Sequence, residues 1–130
     1  MVYKKYPFIT IHWDEEINAV VMEWTKFAVS ALFRRALNDG LDLLIEKGSH
    51  RWLADLRGLG PVGPEDQKWS NEDWFPRAIA GGVTRMALVA PNSTLSKMSV
   101  DTIMERVGEV NLARHYFDSV EDARLGLAEG

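Results

Sequence analysis

The stretch "DLRGLGPVGPED" (Asp55–Asp66) carries Gly58, Gly60 and Gly63 in G-x-G-x-x-G spacing. Such a turn cradles a dinucleotide pyrophosphate when its glycines end a strand and open a helix, and when an acid about 20 residues on receives the ribose. Half of this pattern is present. Leu56 closes a strand-like run, but Pro61 and Pro64 stiffen the loop, and Pro64 suits the first position of a helix, which leaves Gly63 outside it. The next strand-like run ends in "LVAPNS", with no Asp or Glu to hold a ribose. The glycines therefore read as a tight strand-to-helix loop, and no cofactor is expected.

Other residue types with chemical capacity are equally scattered. His12, His50 and His115 fall on or beside three different strand-like runs, without the i, i+4 spacing or clustered carboxylates of a metal site. Glu65 and Asp66 could form an acid pair, but neighbours on a helix diverge, and both suit the positive end of a helix starting at Pro64. Ser93, Ser96 and Ser99 flank another helix start, where serine serves as a cap, and no G-x-S-x-G occurs. No catalytic residue and no metal ligand is assigned. Arg57, at the mouth of the glycine loop, is a candidate for holding a small anion or, alternatively, for tying the loop down together with Asp55.

The elements that must position these residues follow from periodicity. "FITIHW" (Phe8–Trp13) and "AVVMEW" (Ala19–Trp24) are β-prone runs joined by the polar "DEEIN", which predicts an antiparallel hairpin at the sheet edge. Ser30 is the expected N-cap of a helix whose apolar face is Phe33, Ala36, Leu37, Gly40, Leu41, Leu44 and Ile45. Gly40 inside that face predicts close packing on the sheet. "RWLADL" (Arg51–Leu56) and the nearly all-apolar "TRMALVA" (Thr84–Ala90) read as further strands, the second covered on both faces. Between them a helix begins at Pro64. Pro76 predicts a break near Asn71–Asp73 and a second short helix ending before Gly81 and Gly82. Val100, Ile103, Met104 and Val107 mark one more helix, "ARHYF" (Ala113–Phe117) a last strand, and "SVED" from Ser119 a capping-box start to a final helix. Strands alternating with helices demand a mixed, mostly parallel sheet of about five strands with flanking helices, an α/β sandwich.

This succession, with Asp55-Leu56-Arg57-Gly58 after a central strand, resembles the STAS domains of anti-sigma-factor antagonists and sulfate-transporter tails, whose loop reads Asp-x-Ser-Gly. Across the chain, "RWLADLR", "PEDQ" and "DWFPRAI" resemble small bacterial STAS-like proteins of unassigned function. The resemblance implies a STAS-like fold. In the antagonists it also implies a switch by phosphorylation of the loop serine, which adds a charge of about −1.5 to −2. Here Arg57 stands at that position and has no hydroxyl, so the switch does not carry over, and only Asp55 and Gly58 match.

With 130 residues, 46% of them hydrophobic, the chain fits one domain able to bury its own core. A net charge of −4 without a basic stripe argues against nucleic acid. The absence of cysteine fits a reducing compartment, and no run approaches membrane-spanning length, so a cytoplasmic protein is expected. The unusual feature is aromatic: Trp69, Trp74 and Phe75 lie close together beside Arg77. Two readings stand. The first is a non-enzymatic module that binds a protein partner or dimerises through the Gly58–Arg77 region. The alternative is a pocket for a small apolar or lipid-like ligand lined by the same aromatics.

Overall fold

A computed structural model describes residues 1–108 and 110–129. Alternation along the strands sets the architecture. In β2 (Ile9–Asp14), β3 (Ala19–Trp24), β4 (Arg51–Asp55) and β5 (Arg85–Val89), the residues Ile9, Ile11, Val20, Met22, Trp52, Ala54, Met86 and Leu88 belong to one core cluster. Their neighbours Ala19, Leu53, Ala87 and Val89 belong to a second. Because successive side chains point to opposite faces, these two clusters are the two faces of one sheet.

The sheet has six strands in sequential order, from β1 (Val2–Tyr6) to β6 (Ala113–Phe117). β1, β2 and β3 pair antiparallel, and β3 through β6 pair parallel. The expectation of about five strands is corrected: "VYKKY" forms an edge strand outside the hairpin. Two adjacent lysines and an irregular register between Val2 and Lys4 disguise its alternation. Lys4 and Tyr6 are drawn toward α1, where both reach the Asp39 carboxylate, at 3.3 and 2.7 Å.

The right hand is the rule for parallel crossovers, and three of them in sequential order place their helices on one face, as crossovers of a single hand must. These are α1 (Ser30–Lys47), the segment from α2 (Pro64–Trp69) to α3 (Phe75–Ala80), and α4 (Thr94–Val107). Their buried Phe33, Leu44, Trp74, Ala78, Val100 and Ile103 all join the first cluster. The last helix, α5 (Val120–Ala128), covers the other face with Ala123 and Leu127, and Ser119 caps it by accepting the Asp122 N–H at 3.0 Å.

Three local expectations are corrected. The N-cap of α1 is Val29, because the Ser30 hydroxyl is turned to the Asp66 carboxylate at 2.7 Å. Leu43 is buried on the core side of α1, whereas Ile45 is 53% exposed. The helix does not break at Asn71–Asp73: Ser70–Trp74 forms a π turn between α2 and α3, with helical dihedrals kept on both sides. A wide turn accommodates Pro76, which has no N–H to donate and whose ring would clash with the carbonyl four residues back. Gly40 does mark close packing, since a Cβ there would lie 2.6 Å from Met22 Sδ and 2.7 Å from Trp52 Cη2.

Candidate functional site

The glycine loop is shaped by its neighbours in the fold. A Cβ at Gly58 would lie 2.6 Å from the Trp24 carbonyl oxygen, and one at Gly60 would lie 2.6 Å from Phe27 Cδ1. Both glycines let the β4–α2 loop pass against the β3–α1 loop. Gly63, the N-cap of α2, has open space around it. The G-x-G spacing thus serves loop-to-loop contact. Moreover, a sequential strand order has no topological switch point, the place where an open α/β sheet forms a nucleotide crevice.

Asp55 is buried at the end of β4, and its carboxylate accepts both Arg57 Nε (2.9 Å) and Nη2 (2.8 Å). The pair is bidentate, and the hydrogen bonds raise the already high pKa of Arg57. Of the two roles considered for Arg57, this geometry serves the tie. Arg77 is likewise engaged, by Asp73 Oδ2 at 2.8 Å and by Asn38 Oδ1 at 2.8 Å, which fastens α3 to α1.

The aromatic group divides. Trp69 is half-buried beneath the Arg34 guanidinium, 5.2 Å from its ring centre, while Arg34 Nε donates to Asp66 at 2.8 Å. Trp74 and Phe75 are core residues, 2% and 5% exposed. A partner surface built on those two rings is therefore corrected. Trp74 meets Trp52 edge-on at 5.1 Å and donates its indole N–H to the Leu37 carbonyl at 3.1 Å. The sequence left both sides of the broken segment free to choose a face; the π turn keeps them on one helical path and turns Trp74 inward.

Between the sheet and its three helices lies an apolar cavity of about 60 Å³. Trp24, Phe33, Trp52, Trp74, Phe75 and Met86 line it with smaller apolar residues. Ser70, on the π turn, is also among its lining residues, and its hydroxyl donates to the Asp66 carbonyl at 2.8 Å. Leaving this space empty costs about 1–2 kcal/mol by the cavity relation. At the carboxyl ends of β3 and β4, a surface groove of about 230 Å³ runs between Phe27–Ser30 and Gly60–Gly63. Phe33, Leu59 and Val62 line both spaces.

Sequence spacing did not reveal the rim of this groove. Ser30 and Asp66 are 36 residues apart and meet only because α1 and α2 start side by side. Elsewhere, His12 Nε2 lies 3.0 Å from Glu23 Oε1 across β2 and β3. Tyr116 donates to Asp101 at 2.8 Å, and burial together with that bond pushes its phenol pKa up. His50 Nδ1 sits 2.7 Å from the Gly82 carbonyl. Among the described residues no group of three His, Asp or Glu side chains is placed to hold a metal ion, and no helix is long and apolar enough to cross a membrane. Comparison with protein-family models and with curated proteins found no match.

Proposed function

We propose that the chain is a STAS-like, non-enzymatic binding module whose ligand is a small apolar or lipid-like molecule. The cavity carries this reading: a core able to close over Trp24, Trp52 and Trp74 instead leaves about 60 Å³ among them. Protein interiors are normally packed to crystal density, so a retained apolar void is a cost that an occupant recovers. The π turn that places Ser70 and Trp74 at its wall is a feature that recurs at functional sites. The one-sided βα succession and the Asp55–Gly58 match support the STAS-like assignment. The lining supplies shape and apolar surface; Asp55 and Arg57 satisfy each other outside it.

Xenon tests the reading, because it is small enough for the cavity and three lining tryptophans report on it. Xenon under pressure is expected to change tryptophan fluorescence and to raise the unfolding midpoint by mass action. Unchanged fluorescence and midpoint would overturn it.

A second reading, association with a protein partner or a second copy, is favoured by the exposure of Phe27 (62%), Val29 (55%) and Leu32 (39%) at the same end of the sheet. Light scattering on dilution separates it: a mass that stays monomeric at high concentration removes self-association.

A further inference from the structure

We infer that the cavity is loaded through the groove between Phe27–Ser30 and Gly60–Gly63, and that the occupant is an amphiphile whose hydrogen-bond-donating head, a hydroxyl or amine, stays at Asp66. This rests on the cavity being a ligand site. The cavity by itself, at about 60 Å³, is smaller than the roughly 300–1,000 Å³ typical of small-molecule pockets. The adjoining groove is several times larger. Phe33, Leu59 and Val62 line both spaces as a septum, so rotation of their side chains joins the two into one larger site.

The two lips differ. Val62 is pinned on both sides, its N–H donating to Ser99 Oγ at 3.1 Å and its carbonyl accepting Gln67 Nε2 at 2.8 Å. The opposite lip rests its Phe27 ring on Gly60 by van der Waals contact, with that ring mostly in solvent. Widening of the groove mouth therefore falls to the Phe27 side, ahead of the septum. The polar groups lining the groove choose the head. Asp66 Oδ1 accepts both Ser30 Oγ (2.7 Å) and Arg34 Nε (2.8 Å), whereas Oδ2 has no hydrogen-bond partner among the described residues. Because Arg34 already balances the charge of Asp66, the choice rests on hydrogen bonding: Oδ2 accepts a hydroxyl or ammonium proton, and a carboxylate head brings none to donate.

The test uses 1-hexanol, hexylamine and hexanoate, followed by tryptophan fluorescence at equilibrium and in stopped flow. Hexanol and hexylamine should bind at least about tenfold more tightly than hexanoate, the value of one charge-assisted hydrogen bond. Asp66→Asn should shrink that preference. Gly63→Phe adds a ring to a residue that lines the groove, with open space around the new Cβ, so it should slow hexanol association while the unfolding midpoint holds. Phe27→Ala should speed it, which keeps the route testable if the bulkier variant folds poorly. Equal binding of hexanol and hexanoate, or association rates indifferent to both groove variants, would overturn the inference while xenon binding left the cavity reading standing. Failure of xenon and hexanol alike would remove both.

Discussion

On one face of the sheet Trp24, Trp52 and Trp74 lie with Phe33 and Phe75 around a cavity; on the other, Ala19 and Ala87 of the strands are covered by a single helix that presents Ala123. On that second face a Cβ at Gly126 would overlap the Phe117 ring. Small residues let α5 settle onto the strands, and the Arg124 guanidinium clamps it to the β2–β3 turn through Asp14 (2.7 Å) and Glu16 (3.1 Å). Large rigid rings cannot tile a layer in that way. Their planes meet at steep angles, 64° for Trp52 with Trp74 and 86° for Trp74 with Phe75, and such edge-on contacts leave angular gaps. The contrast teaches that burial and close packing are separate properties: both faces are buried, and one of them has room.

The largest expected effect is at the ring that holds the open face together. Trp74→Ala removes a buried indole, its bond to the Leu37 carbonyl and two edge contacts, and should cost about 3–5 kcal/mol in urea denaturation. A cost under about 1 kcal/mol would mean that Trp74 is not core at all.

A matched pair tests the contrast directly. Ala87→Val adds two methyl groups to the tight face and should lose about 1–3 kcal/mol through overpacking. Ala54→Val adds the same groups on the neighbouring strand where they border the cavity, and should gain about 1 kcal/mol from filled space. Equal losses in both variants would break the comparison, since the space beside Ala54 would then not be free.

The clamp on the tight face is sensitive to acid. The Arg124 guanidinium beside Asp14 holds its carboxyl below its ordinary pKa of 3.8. A folded pKa below the unfolded one stabilises the native state fully above the unfolded value and loses that contribution as pH falls through the folded value. Asp14→Asn should therefore cost about 1 kcal/mol at neutral pH, the guanidinium being partly solvated. The difference from the parent should shrink once pH falls below 3.8. Urea midpoints at neutral pH and in acid measure both.

The smallest effect belongs to the groove lip. Phe27→Ala should leave the unfolding midpoint within about 0.5 kcal/mol of the parent, because its ring is mostly solvated. A large loss would show that the lip is part of the core rather than a cover for the groove.

Much of the fold was legible because side-chain period announces it. "AVVMEW" and "ARHYF" form strands over the same residues that their composition marks. Gly40 on an apolar helix face announces a close approach, and Pro64 opens a helix as its ring geometry requires. The edge strand "VYKKY" was not legible, because its partners are Asp39 on a helix and a hairpin still to be folded. The turn at Ser70–Trp74 was legible as a place of trouble with Pro76, and not as a π turn, since the proline forbids a regular helix without choosing between breaking and widening it.

By itself the sequence determined, apart from Leu43 and Ile45 of α1, which residues share a face of the main elements, and the order of elements then determined, through right-handed crossovers, that three helices cover one side of the sheet. It could not say what each face meets. That Ser30 turns from capping its own helix to Asp66, that Arg57 is held by Asp55, and that Trp52 and Trp74 meet edge-on beside an unfilled space were decided only in the tertiary structure. The physical reason is that periodicity is a property of one element, whereas a cavity, a septum and a rim exist only where side chains from several elements fail, or manage, to fit against one another.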